Sequence, residues 1–166
     1  MSTRDQQDAL QGQGTLPSAK NMRIGIVVSR WNSEITQALC DAAVDTLLEH
    51  GARRKNIPLK YVPGSFELTM GAHLMALYGK VEAVICLGCV IQGETPHFTY
   101  ICQSITLGIT ELNMKHGIPF IFGVLTTHNF VQAKERAGGK LGNKGREAAI
   151  AAIQMVDLKR QMSRAT

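Results

Sequence analysis

Val81-Glu82-Ala83-Val84-Ile85-Cys86-Leu87-Gly88-Cys89-Val90-Ile91 runs directly into Gln92-Gly93-Glu94-Thr95-Pro96-His97, and the contrast between the two halves decides the fold. The first half is apolar, rich in β-branched residues and without alternation. Such a run is the mark of a strand buried on both faces, as in a parallel sheet with helices on either side. The second half carries glycine, proline and polar groups and reads as a loop. Residues 81–90 are therefore the expected strand and residues 92–97 its exit. Cys86-x-x-Cys89 falls inside that strand, where residues three apart face opposite sides. Cys40 and Cys102 supply no second close pair, so zinc has little support, and the four cysteines read as buried, reduced thiols.

Working outward, the same pattern recurs. Residues 23–29 form a first apolar strand. Asn32 or Ser33 caps a helix whose stripe is Ile35, Leu39, Ala42, Ala43 and Leu47, ending at Gly51. A second strand spans 57–62 and closes at Pro63-Gly64; Ser65 or Phe66 opens a helix to Tyr78, stopped by Gly79. After the central strand come a helix over 98–116, ended by Gly117, and a fourth strand over 119–125. Helices over 129–137 and 143–162 flank a glycine-rich connection at 138–142. Residues 1–21 are rich in Gln, Gly, Ser and Asp without periodicity and are expected to be a flexible tail. Residues 22–162 make one domain, and 163–166 a short tail.

Four apolar strands alternating with helices, joined by right-handed crossovers, give an α/β fold. It is a three-layer αβα sandwich of flavodoxin-like type around a four-stranded parallel sheet. Ligands of such folds bind beyond the carboxyl ends of the strands, here residues 29–32, 63–67, 88–97 and 125–129.

Composition narrows the function. The chain has 166 residues, 45% hydrophobic and 19% charged, enough for one real core. No apolar run approaches the roughly 20 residues of a membrane helix, and no charged-then-apolar leader opens the chain. A cytoplasmic protein without membrane insertion is expected. The net charge of +5 favours anionic ligands. Aromatics make up only 5% and do not interleave with the basic runs, which argues against nucleic acid and for a small phosphorylated ligand.

Among the chemistry-bearing residues, His97 stands at a helix start. The dipole there disfavours imidazolium, leaving a neutral ring able to accept a proton; a merely capping histidine is the alternative. His50, His73 and His116 lie within or at the ends of helices, where solvated or capping roles are expected, and His128 at a strand end is a weaker candidate. Arg136, Lys140, Lys144 and Arg146 surround the glycine run, and with the amides of the following helix they read either as an anion site or as a solvated basic loop. The pattern is not a nucleotide phosphate loop, and no paired-histidine metal motif occurs. Trp31, the only tryptophan, follows a strand and either stacks on a planar ring or fills an interface or the core; Phe66 and Phe122 pose the same choice. Glu67 sits at a helix start, where carboxylates are favoured anyway.

Arg30-Trp31-Asn32, Val62-Pro63-Gly64-Ser65-Phe66-Glu67, Leu87 to Phe98, Phe122-Gly123-Val124-Leu125-Thr126-Thr127 and Asn143-Lys144-Gly145 occur in order. Together, over about residues 23–158, they closely resemble the 6,7-dimethyl-8-ribityllumazine synthase family of riboflavin biosynthesis. The resemblance implies a transferase that joins 5-amino-6-(D-ribitylamino)uracil to 3,4-dihydroxy-2-butanone 4-phosphate, with no cofactor and no metal. It implies stacking of the pyrimidine on Trp31, where most members carry phenylalanine. Ser65, Phe66 and Glu67 match the ribityl segment, and Cys89, Val90 and Ile91 the uracil contacts. Glu94, Thr95 and Arg136 match the phosphate end, with Lys144 assisting, and His97 the proton-transfer residue. Phe122 and Arg136 match positions that the family supplies from an adjacent subunit. It further implies a homo-oligomer: a pentamer, or an icosahedral assembly of pentamers, with active sites between neighbours. The short 137–142 stretch leans towards the shell. Two rival classes are a non-catalytic flavin-binding homologue, which could dispense with His97 and Arg136, and a nucleic-acid binder, which would need one continuous basic surface.

Overall fold

The computed structural model describes residues 16–164. In chain order the elements are β1 (Ile24–Ser29), α1 (Ser33–Glu49), a 3₁₀ turn (Arg54–Asn56), β2 (Leu59–Val62), α2 (Leu68–Tyr78), β3 (Ala83–Ile91), α3 (His97–His116), β4 (Phe120–Thr127), α4 (Phe130–Glu135), β5 (Ala137–Gly139), β6 (Gly142–Asn143) and α5 (Lys144–Arg164). The main sheet has the order β2-β1-β3-β4 and every pair in it is parallel. This is the expected three-layer αβα arrangement of flavodoxin-like type.

Alternation along the strands builds two cores. Ile24, Ile26, Val28, Ile85, Leu87 and Leu125 face α1 and α5, meeting Leu39, Ala43, Leu47, Ala149 and Ile153. Val27, Val84, Cys86 and Val124 face α2 and α3, meeting Leu68, Ala72, Met75, Ile105 and Ile109. Cys86 and Cys89 thus point into different cores, and neither is disulfide-bonded. Burial pushes the Cys86 thiol up to about 12 and that of Cys89 to about 11, so both are thiols, not thiolates, at neutral pH. Small residues on α5 let it approach α1 closely: a β-carbon on Gly145 would lie 1.9 Å from the Leu39 carbonyl oxygen.

Several boundaries move. The second strand begins at Leu59 because residues 54–56 turn in a 3₁₀ helix instead of extending. Helix α2 starts at Leu68, since residues 63–67 are spent on a loop, and the expected 129–137 helix ends at Glu135. The glycine-rich connection is not a plain loop but the antiparallel β5–β6 hairpin. Of the expected N-terminal tail, residues 1–15 lie outside the described residues, while the remainder is packed. Ala19 is buried, its N–H donates to the His50 carbonyl at 2.8 Å, and Leu16 packs on the α1/α5 core. Arg160 fastens this segment, donating to the Asn21 carbonyl and, through two nitrogens, to both Glu82 oxygens, each at 2.8 Å. At the other end α5 continues through Ser163 and Arg164, and residues 165–166 lie outside the described residues. Among the described residues no helix is long and apolar enough to cross a membrane.

Candidate active site

The carboxyl ends of β1, β2 and β3 surround an open cavity of about 640 Å³, lined by Trp31, Asn32, Gly64, Ser65, Phe66, Glu67, Cys89, Val90, Ile91, His97 and Ile101. Topology explains its position. The β1–β3 ladder runs only to Val28 and Leu87, whereas β3 stays paired with β4 out to Ile91 and Thr127. Beyond Leu87 the β1 side of β3 therefore has no strand beside it, and the cavity occupies that space.

Each loop is held by backbone contacts. After β1, the Arg30 N–H donates to the Val62 carbonyl and the Trp31 N–H to that of Pro63. The Arg30 guanidinium sits 5.2 Å from the Tyr61 ring centre, within cation–π range. Trp31 is 74% exposed and Phe66 55%, so neither ring is spent on the core of the single chain. After β2, the Gly64 N–H donates to Glu67 Oε2 at 2.9 Å, which turns the segment back on itself and aims Ser65 inward. The Ser65 hydroxyl is buried beside that of Ser29, 3.5 Å away. The floor needs a glycine at 88, because a β-carbon there would come within 2.8 Å of both Leu68 Cδ1 and Ser65 Oγ.

Past β3, the Gln92 N–H donates to the Thr127 carbonyl at 2.8 Å, and the Gln92 side chain bonds His128 Nδ1. The loop then turns at Pro96, and His97 is the exposed first residue of α3. Ile101 shares its helix face one turn later. That i, i+4 spacing is the signal by which this wall residue is found from sequence.

The structure brings Trp31, Ser65, Phe66, Glu67, Cys89, Val90, Ile91 and His97 together around the cavity. Glu94 and Thr95 are exposed in the loop leading to His97 but do not line it. Phe122 is half-buried on β4 against the α2/α3 core, away from the cavity. Arg136 follows α4 and Lys144 begins α5, on either side of the β5–β6 hairpin, and neither reaches the cavity of its own chain. Lys144 Nζ instead pairs with Glu147 at 2.9 Å. Nor are the first amides of α5 free for an anion: Asn143 Oδ1 accepts from Gly145 and Arg146, at 2.8 and 3.4 Å. The alternative of a solvated basic loop describes the isolated chain better than a preformed anion cradle.

Asn32 corrects another expectation. It does not cap α1 with its side chain; its backbone is left-handed (φ 56°, ψ 47°) and its carboxamide donates to the Cys89 carbonyl at 3.0 Å. The remaining histidines stand apart from the cavity. His50 Nδ1 lies 2.7 Å from the Thr46 carbonyl, and His73 Nδ1 lies 2.9 Å from His116 Nε2. Among the described residues no cluster of three or more His, Cys, Asp or Glu could hold a metal ion.

A sequence model described as 6,7-dimethyl-8-ribityllumazine synthase matches residues 21–160. A protein of that name from Phocaeicola vulgatus is 53% identical over 150 residues, covering 90% of this chain and 89% of the relative. One from Porphyromonas gingivalis is 54% identical over 146 residues, with 88% and 91% covered. A third, from Bacteroides fragilis, is 56% identical over 136 residues, with 82% and 95% covered.

Proposed function

Because the chain belongs to the 6,7-dimethyl-8-ribityllumazine synthase family, we propose that its cavity carries out the penultimate step of riboflavin biosynthesis. In that step 5-amino-6-(D-ribitylamino)uracil condenses with 3,4-dihydroxy-2-butanone 4-phosphate. The observation that carries this reading is one cavity holding an exposed aromatic platform, a polar turn and a histidine at a helix start. Trp31 stacks on the pyrimidine; Ser65, Phe66 and Glu67 hold the ribityl chain; Cys89, Val90 and Ile91 present the end of β3 to the uracil edge.

The chemistry suits these residues. The aromatic amine attacks the ketone carbonyl, and loss of water gives an imine. Phosphate then leaves by β-elimination, and the ribitylamino nitrogen closes the ring with loss of a second water. No electrons are gained or lost overall, so the reaction calls for no cofactor. His97 moves protons at the imine and elimination steps. Amine and ketone are intrinsically reactive, so holding both in register supplies much of the acceleration.

The phosphate end uses Arg136, with Glu94, Thr95 and Lys144 around it; a guanidinium there offsets the charge of the departing phosphate. Since Arg136 and Phe122 do not line the cavity of their own chain, we assign them to the neighbouring subunit's site in a homo-oligomer. That oligomer is a pentamer, alone or as the unit of an icosahedral shell, acting in the cytoplasm. Met70, Leu74, Leu77, Tyr100 and Leu107 on α2 and α3 are all at least 46% exposed, and exposed apolar side chains gathered on one layer are what a subunit interface would cover.

The test mixes purified protein with both substrates and follows lumazine fluorescence and phosphate release together. A rate well above the enzyme-free blank, with equal amounts of both products, is expected. No acceleration by a folded oligomer would overturn the proposal and favour a non-catalytic flavin-binding homologue.

A further inference from the structure

We propose that Asn32 is a positioning residue for the ring-binding slot, its carboxamide acting as a tether that fixes the spacing between Trp31 and the end of β3. The end of β3 has an edge that β1 does not pair. With the β1–β3 ladder finished at Val28 and Leu87, no strand donor remains on that side for the carbonyl of Cys89, a residue only 3% exposed. A carbonyl buried without a partner is costly. The Asn32 Nδ2 group fills the role of the missing strand donor at 3.0 Å.

To do so the residue gives up its ordinary work. Asparagine is among the preferred helix caps, yet here its side chain makes no capping bond to α1. Its backbone also sits at φ 56°, and among the described residues Lys80 is the only other non-glycine with positive φ. The left-handed conformation is unfavourable for most residues and easiest for glycine and asparagine. An off-pattern backbone and a diverted side chain at one position are what a site-building residue shows.

The geometry says what is being built. Trp31 has little packing to hold it, being 74% exposed, although its ring edge at Cε3 lies 3.5 Å from where a Gly64 β-carbon would be. Its loop is tied to the exit of β2 by its own N–H on the Pro63 carbonyl, and to β3 by the next residue's carboxamide. Those two ties run to the strands that flank β1 on either side. Cutting the second leaves the platform fixed at one side, so the gap in which a planar ring would lie is no longer set. The tether is a feature of the free protein; its catalytic consequence rests on the function proposed above.

Two variants test it. Asn32→Gly keeps the left-handed backbone and removes the tether. Asn32→Asp keeps the shape but sets a carboxylate oxygen against the Cys89 carbonyl. As the only tryptophan, Trp31 reports the platform directly by time-resolved fluorescence anisotropy without any ligand. Both variants should fold with a Tm within a few degrees of the parent and show a faster, larger-amplitude Trp31 motion. The KM for the ribitylaminouracil should rise about five- to tenfold, the scale of one lost hydrogen bond to a buried carbonyl, with kcat nearly unchanged. Parent-like anisotropy in both variants would overturn the proposal. So would a fall in kcat and KM together with a large loss of Tm, which would mark a purely structural role. If the parent makes no lumazine, the functional reading fails, while the anisotropy still decides whether Asn32 holds the platform.

Discussion

Replacing Gly145 with alanine should destabilise the fold by about 3 kcal/mol, the upper end of what overpacking usually costs. The magnitude follows from the crossing of α1 and α5. A β-carbon built on Gly145 would lie 1.9 Å from the Leu39 carbonyl oxygen, 2.7 Å from its carbon and 2.9 Å from its Cα. A carbon–oxygen contact relaxes only at roughly 3.3 Å, so the two helices must part by more than about 1 Å. The obstacle is backbone on both sides, so no rotamer change relieves it. Parting the helices would also loosen Ala148, Ala149, Ala152 and Ile153 from the core they share with Leu39 and Ala43. For a chain of this size about 3 kcal/mol corresponds to a Tm lower by roughly 6–12 °C. Gly93→Ala is the control: nothing lies within 4 Å of its β-carbon position, and its Tm should stay within about 2 °C of the parent. Thermal unfolding by circular dichroism at matched protein concentration reads both. A Gly145→Ala protein that melts with the control would refute the close helix approach and the reasoning built on it.

Three further outcomes are expected. His97→Ala should slow lumazine formation by at most the roughly 10²–10⁴ typical of general acid–base catalysis; complete loss with normal pyrimidine binding would contradict a positioning-dominated mechanism. Co-expressing His97→Ala with Arg136→Ala subunits should restore about a quarter of the parental sites if each site takes one residue from each neighbour of a head-to-tail ring, whereas no recovery would place both residues in one chain's site. Stability should also depend on pH through His116, whose pKa is lowered by burial first and then by the charges of His73 and Lys115. Because the folded-state pKa lies below the unfolded value of about 6.5, the unfolded chain binds more protons as pH drops below that value. Stability is therefore full above pH 6.5 and falls as the pH descends through the folded pKa. A His116→Gln variant whose Tm declines as steeply as the parent's between pH 7 and 5 would remove His116 as the cause.

What can be read from the chain depends on how far apart the deciding partners lie. The β3 run is legible because its requirement is local: Ala83 through Cys89 are all buried, and only an apolar run without alternation satisfies both faces at once. Trp31, Phe66 and His97 are legible as site residues for a related reason, since strand ends in this fold point to one rim. Asn32 does stand at the N-cap position of α1, but its side chain makes no capping bond, because the demand it meets, the Cys89 carbonyl, comes from a strand 57 residues away. The β5–β6 hairpin escapes notice too. Its strands contain only Ala, Gly and Asn, two of their glycines, Gly138 and Gly142, sit at φ 116° and 81°, and its shape is fixed by the Glu135 carbonyl and carboxylate accepting from Leu141 and Lys140.

The phosphate end shows the same principle at its limit. Asn143-Lys144-Gly145 at a helix start invites an anion-site reading, yet each residue is committed within the chain. Asn143 occupies the Gly145 and Arg146 amides with Oδ1 and reaches the Ala38 carbonyl with Nδ2. Lys144 is paired with Glu147, and Gly145 lets α5 close onto α1. The segment is thus a hinge-pin of the α1/α5 layer. With those amides taken, the proposed phosphate contact at this end falls to side chains, and Arg136 beside the hairpin is, like Arg23, Arg30, Arg53, Arg54 and Arg164, in none of the ion pairs among the described residues. Arg136 does not line the cavity of its own chain, so the role proposed for it needs a second copy that presents a cavity to it. This is why the fate of Arg136 in mixed oligomers bears on both the chemistry and the assembly.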